Sequence, residues 1–368
     1  MSSIIVINIF MVALVGAILA ATPYLMPPTE CFTVTVPPSA KRDPRVKALY
    51  RNYAMGVGAL TLVSVAITVF TLPKANDLTA GLTVIGVVLA PMAASFALML
   101  HNRKQVQALK QTRGWTATGA HAAAIVGDGD LPQLVPLAWE LLHLVVVAVL
   151  MALIAVVYDR LPAQVPMHTD LGGSVTEYAA KSPRVALFPV LEAAFLGIVF
   201  AFCHWGILRS KRPVDPAAPA TSALAYAQFA RIQSLIMLVG GLALNTCSAA
   251  AFLLSWLGVV TLEFSGVFVV GVALIFVAAE IWVSVRLGQS GGRVAAEMRT
   301  NDGVARDDDH LYKLGVFYVN PEDPSVWVPK RFGVGWTLNY ARPLSWLLMA
   351  LLVLISAGFA FAAFLLTK

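Results

Sequence analysis

The sequence predicts an all-α polytopic membrane protein of about eight transmembrane helices, with a small cytoplasmic β-containing insert before the last helix. Three observations predict it. The 368 residues are 58% hydrophobic and 12% charged, with a mean hydropathy of +0.77, whereas soluble domains carry about 25% charged residues. Eight apolar runs are long enough to cross a bilayer, which needs about 20 mostly apolar residues. The hydrophilic segments between them alternate in basic charge.

The predicted spans are 4–21, 53–72, 78–100, 137–158, 186–208, 232–257, 264–285 and 344–366. The first has no Lys or Arg ahead of its apolar run, so it reads as a retained helix rather than a signal peptide. The odd-numbered loops hold 21 Lys and Arg, and the even-numbered loops with the C-terminus hold 5. Basic residues collect in cytoplasmic loops, so odd loops are predicted in the cytoplasm and both termini outside. The same bias explains the net charge of +6. No basic stripe is interleaved with aromatics, so nucleic acid is excluded as a partner. Cys31, Cys203 and Cys247 form no disulfide framework and have no ligand spacing.

In chain order the regions are a three-helix membrane part (1–136), a helix pair with an outward loop (137–208), two further helices (209–287), the insert (288–343) and the last helix (344–368). Within the first region, "RVKALYRNY" and "NRKQVQALKQTRGW" carry apolar residues among cations. They read either as helices lying flat on headgroups or as cationic extensions of the spans. "HAAAIVGDGDLPQLVP" reads as an interfacial loop.

The fourth loop, "LPAQVPMHTDLGGSVTEYAAKSP", is predicted to face outward. Its prolines cannot continue a helix, and Gly172-Gly173 permits a tight turn. Between them lie His168, Asp170 and Glu177. One imidazole and two carboxylates at a membrane surface suit a pH-sensitive contact, a cation site or peptide recognition. A capped, hydrogen-bonded turn is the plainer reading, since Asp170 and Ser174 are ordinary turn residues.

Four ionisable groups fall inside spans, where charge costs about 2.5–3.5 kcal/mol at mid-bilayer. They are Glu140 and His143 in the fourth span, Glu192 in the fifth and Glu280 in the seventh. His204 and Asn245 add two polar groups. The predicted helix directions place Glu140, His143, His204 and Glu280 near the cytoplasmic surface. Three readings follow: a shared metal site, a proton relay or polar network, or independent interfacial residues. "WELLH" is not a metalloprotease HExxH. Glu192 is predicted alone near the outer side, beneath the His168 loop.

In the insert, "KLGVFYV" and "SVWVPKRF" read as short strands with "NPEDP" as the turn between them, and "RFGVGWTLN" as a possible third strand. Phe317, Tyr318, Trp327, Phe332 and Trp336 are expected to hold this unit against the membrane. Asn320, Asp323, Lys330 and Arg331 are its candidate polar residues. The acidic run Asp307–Asp309 reads as a solvated face, because adjacent extended residues point apart. "SGG" at 290–292 reads as the stop of the seventh helix, with Arg286 and Arg293 near its carbonyl end. No nucleotide or other cofactor motif is present.

The fourth loop resembles the domain of unknown function shared with Sdp-type bacterial immunity proteins, at Leu161, Pro162, Pro166, His168, Gly172, Gly173, Tyr178 and Lys181. It departs from that pattern at Asp170 and Ser174. "KLGVFYVNPEDP", "VPKRFGVGWTLN" and "GQSGGR" are similar to a small domain of unknown function that often follows the first; with "FTVTVPPSAKRDPRVKALYRNY" in loop one, the likeness covers most of the chain. The resemblance implies a multi-pass protein of the bacterial plasma membrane. It also implies a role in binding a secreted peptide toxin outside or holding a regulator inside. The preferred reading is therefore a binding protein whose outward residues are Pro166, His168, Asp170, Gly172, Gly173, Glu177 and Lys181. The alternatives are a metal-dependent hydrolase built on Glu140, His143, His204 and Glu280, and a transporter using Glu192, Asn245 and Glu280. For the transporter, Gly240-Gly241 is the only hint of a broken helix.

Overall fold

The computed structural model describes residues 3–117, 131–170, 173–216, 218–297, 304 and 307–367. Among these residues, eight helices are long and apolar enough to cross a membrane. They are α1 (Ser3–Leu25), α2 (Pro44–Thr71), α3 (Asp77–Arg113), α4 (Leu142–Val157, extended by 3-10 turns at both ends to a span of Leu137–Arg160), α5 (Phe188–Leu208), α6 (Pro219–Trp256), α7 (Leu262–Leu287) and α8 (Pro343–Thr367). Leu62, Phe70, Ile275, Val353 and Leu354 point outward from them. A bilayer covers such an apolar exterior, and helices alone satisfy their backbone there. The chain is a multi-pass membrane protein.

Helix ends follow local chemistry. The Asp43 side chain accepts from Arg45 N at 2.8 Å with Pro44 at the first helical position, which starts α2. Asn76 caps α3 through Thr79 N at 2.9 Å, and Gly114, at φ +64°, ends it. Thr261 caps α7, and Gly288, at φ +73°, ends it. The helix thus stops at Gly288, just ahead of the "SGG" at 290–292 predicted to end it, with an Arg293 guanidinium donating to Val285 O.

Helices α1 to α3 pack together, as do α4 to α7, and α8 lies along α5. A Cβ at Gly16 would fall 2.1 Å from the Thr61 side chain, so glycine sets how closely α1 approaches α2. The two basic segments are continuous extensions of α2 and α3, so separate flat-lying helices do not form. Tyr50, Val106 and Leu109 on these extensions are buried with Phe32, Val34 and Val36 of the α1–α2 loop. The sequence at 121–130 lies outside the described residues. Helix α6 is unbroken through Gly240-Gly241. A Cβ at these glycines would meet Phe276 and Phe200, so they permit close helix packing and do not mark a break.

Among the described residues, four two-stranded antiparallel hairpins decorate the helix ends. Strands β1 (Glu30–Cys31) and β2 (Val34–Thr35) lie in loop one, and β3 (Gln164–Thr169) and β4 (Val175–Ala180) join α4 to α5. The insert holds β5 (Tyr312–Lys313), β6 (Phe317–Tyr318), β7 (Trp327–Pro329) and β8 (Trp336–Leu338). This corrects the predicted strand order. "KLGVFYV" folds back on itself at Leu314-Gly315, both at positive φ, and "NPEDP" connects two hairpins instead of turning within one. Asn339 organises that connection, donating to Asn320 O at 2.8 Å and accepting from Asn320 N at 3.0 Å.

The β3–β4 hairpin sits at the C-terminal ends of α4 and α6, and the insert sits where α5 and α7 end and α6 and α8 begin. They therefore occupy opposite ends of the helices.

Candidate functional site

The β3–β4 hairpin is built on an alternating strand. Val165, Met167 and Ala179 face a buried cluster with Leu161, Val185 and Trp256. The Trp256 indole donates to Pro166 O at 3.1 Å and locks β3 to α6. Lys181 closes the base: its backbone N donates to Ala163 O at 2.9 Å, and its ammonium donates to Leu161 O at 3.1 Å. Bonded and non-bonded pairs alternate, so the Ala163–Lys181 bond makes Pro166–Tyr178 a non-bonded pair. Proline is tolerated there because its missing N–H would point away from β4. The same alternation turns the N–H and C=O of Tyr178 and Ala180 to the outer edge of β4.

At the tip, Asp170 Oδ1 accepts from Ser174 N at 2.9 Å and Gly173 N donates to Asp170 O at 3.1 Å. Gly173 has φ +88°, and a Cβ there would approach Glu263 to 2.4 Å, so no other residue fits without movement. Asp170 thus adopts the turn role, and Gly172 lies outside the described residues. His168 and Glu177 face each other across the strands, with Nδ1 to Oε2 at 2.9 Å and side chains 68% and 62% exposed. Tyr178 is exposed beside them. The exposed chemistry of the hairpin is therefore His168, Glu177, Tyr178 and a free strand edge.

A second cluster is buried between α4, α5 and α6. Glu140, in a 3-10 turn (Leu137–Leu141) before α4, receives His204 Nδ1 at 2.7 Å on Oε1 and lies 3.1 Å from His143 Nε2 on Oε2. His204 Nε2 donates to Val135 O at 3.0 Å, because a carbonyl can only accept. Asn245 Nδ2 donates to His143 Nδ1 at 2.8 Å and to Ala193 O at 3.0 Å. One step along α6, Ser248 donates to Glu192 Oε1 at 2.7 Å. Glu192 therefore has a helix partner of its own.

Glu280 does not join this cluster; it lies beside Gln233 of α6. The four-group convergence considered from the sequence is not formed. Both nitrogens of His204 and Nδ1 of His143 have protein hydrogen-bond partners, whereas His143 Nε2 and Glu140 Oε2 lie 3.1 Å apart without forming a hydrogen bond. Among the described residues, no group of three or more His, Cys, Asp or Glu has the geometry to hold a metal.

The insert docks through Trp327 against Phe202 and Trp205, Trp336 against Phe229, and Phe332 against Tyr53. Tyr318 and Phe317 instead pack within the insert, on Tyr312 and Tyr340. The Asp307–Asp309 run is not a solvated face. Asp309 accepts from Thr35 N at 2.9 Å and from Lys110 Nζ at 2.8 Å, and pairs with Arg331; Asp308 also pairs with Arg331. Burial opposes ionisation of Asp309, but Arg331 and Lys110 outweigh it and hold the carboxyl at about 2. Asp323 is likewise held at about 2, against burial, by Lys211, Ser325 and Tyr318. The Asn320 amide donates to Tyr318 Oη at 3.1 Å. Arg331 is 4% exposed, donates to Thr33 O at 3.0 Å and stacks 4.3 Å over Tyr312. Glu30, Thr33 and Thr35 were not singled out in the sequence, and Asp309 was read only as part of a solvated acidic run.

The Domain of unknown function DUF1648 matches residues 145–192, which span α4, the hairpin and the start of α5. The Family of unknown function DUF5808 matches residues 321–346, the second half of the insert and the start of α8. Together they cover less than half of the chain and leave out loop one and 288–293. No curated protein and no solved structure matches the chain.

Proposed function

We propose that this protein binds an extracellular peptide through the β3–β4 hairpin, in the manner of an immunity or sensor protein of a bacterial plasma membrane. The observation that carries the reading is the outer edge of β4. It presents unpaired backbone groups at Tyr178 and Ala180 beside an exposed His168–Glu177 pair, on a hairpin fixed to the helices by Trp256 and Lys181. An extended peptide adds to such an edge as a further strand, and the flanking side chains select it. The alternating basic charge supports an outward hairpin and cytoplasmic insert, with both termini outside. The insert ties the ends of α5, α6, α7 and α8 together and offers a surface to a cytoplasmic regulator.

The test is protection of cells challenged with a secreted toxic peptide. His168→Ala removes the side-chain contact. Ala180→Pro removes an outward N–H while leaving the β3–β4 ladder intact. Both variants are expected to lose protection at unchanged abundance in the membrane. Normal protection by both removes the hairpin from the function.

A further inference from the structure

A cavity of about 390 Å³ opens at the insert end, between loop one, the α5–α6 connection, the turn after α7 and the insert. Small-molecule sites run from about 300 to 1,000 Å³. Much of the wall is proline, including Pro27, Pro28, Pro213 and Pro329. Proline has a fixed φ, so this wall is apolar and preformed.

Most charges around the cavity are neutralised in place. Arg331 is taken by Asp308 and Asp309 and lies 3.6 Å from Glu30 Oε1, and Lys211 is taken by Asp323. Arg212 and Asp215 have partners as well. Three groups keep unused capacity, Glu30 through its second carboxylate oxygen. Glu30 Oε2 and Ser290 Oγ are buried and have no hydrogen-bond partner. Lys330 has no ion-pair partner among the described residues. Buried polar atoms are almost always satisfied, so two orphans lining one cavity point to a missing group. Ser290 is also held at φ +55°, a conformation that costs energy in a non-glycine residue and gathers at ligand sites.

The uncommitted set has both signs of charge. A simple cation would face Lys330, and a simple anion would face Glu30. A nucleotide would need more free cations than Lys330 alone. We propose that this cavity binds a small zwitterion, an amino acid or short peptide, with its ammonium on Glu30 and Ser290, its carboxylate on Lys330 and its apolar part on the proline wall. Burial pushes Glu30 up to about 7 despite the pull of Arg331. A ligand ammonium would hold it ionised, which couples binding to proton release. The site is independent of the hairpin.

The experiment uses the purified full chain in detergent, with calorimetry against the common amino acids and dialanine. The best binder is then compared with its C-terminal amide and its N-acetyl form. Blocking either end is expected to weaken binding about tenfold or more. Lys330→Gln should bring the amide to within about threefold of the parent ligand, and Glu30→Gln should do the same for the N-acetyl form. Lys330 is exposed and outside the ion-pair cluster, so Lys330→Gln reads out even if Glu30→Gln folds poorly. The proposal is overturned if no compound binds below about 10 mM, if the blocked forms bind as well as the free one, or if Lys330→Gln leaves the discrimination intact.

Discussion

Asp309→Asn probes the link between loop one, α3 and the insert. The carboxylate receives the Thr35 amide and hydroxyl, Lys110 and Arg331. Its carboxyl is held at about 2 rather than 3.8, which corresponds to about 2 kcal/mol. Removing one partner of a buried pair costs about 3–5 kcal/mol, because the other charge is stranded. Arg331 keeps Asp308 and the Thr33 carbonyl, so the lower end of that range applies, about 3 kcal/mol. Hydrogen exchange over β5 to β8 reads the opening of the insert, and 3 kcal/mol is roughly a 100-fold acceleration. Asp307→Asn is the control. Asp307 pairs with Lys110 but its side chain is 35% exposed, and an exposed pair contributes about 0–1 kcal/mol. Acceleration below about threefold for Asp309→Asn, or equal effects of the two variants, would refute the assignment of Asp309 as the tie.

Three other outcomes follow from the same geometry. His204→Ala strands Glu140 among α4, α5 and α6 and should cost about 3–5 kcal/mol in detergent unfolding; a loss under about 1 kcal/mol would show that solvent reaches Glu140. Gly173→Ala should loosen the hairpin tip, seen as faster exchange at Val175 and Thr176, because φ +88° and Glu263 both oppose a Cβ; unchanged exchange would contradict it. Insert stability should depend on pH in two directions. Asp309 and Asp323 have lowered values, so their contribution is present above about 3.8 and lost as pH falls through about 2. Glu30 has a raised value, so its contribution is full below 4.5 and is lost as pH rises through about 7. Protection of the insert, with the intrinsic pH dependence of amide exchange divided out, should therefore be greatest near pH 4 to 5, and Glu30→Gln should abolish the alkaline loosening. An alkaline loss that survives this substitution would place its origin elsewhere.

The spans could be read from the sequence because a bilayer imposes length and apolarity on every one of them. The hairpin tip was legible too, since Asp170, Gly173 and Ser174 carry their turn chemistry locally. What the sequence lacks is the partner of each buried polar group. Glu140, His143 and His204 could be placed at one depth from helix direction alone. That Glu280 turns to Gln233 depends on helix rotation, which no apolar pattern fixes when most of each helix faces lipid. Asp309 shows the same limit, since its partner Thr35 lies 274 residues away. In the insert, "KLGVFYV" has strand propensity throughout, and only Leu314-Gly315 at positive φ splits it into a hairpin.

The account rests on the hairpin lying outside the cell and the insert lying inside. Single cysteines at Glu177 and at His310, each in a chain with its native cysteines replaced, can be exposed to a membrane-impermeant maleimide. In intact cells the account predicts rapid labelling at 177 and labelling at 310 only after permeabilisation. Labelling at 310 with protection at 177 would contradict it.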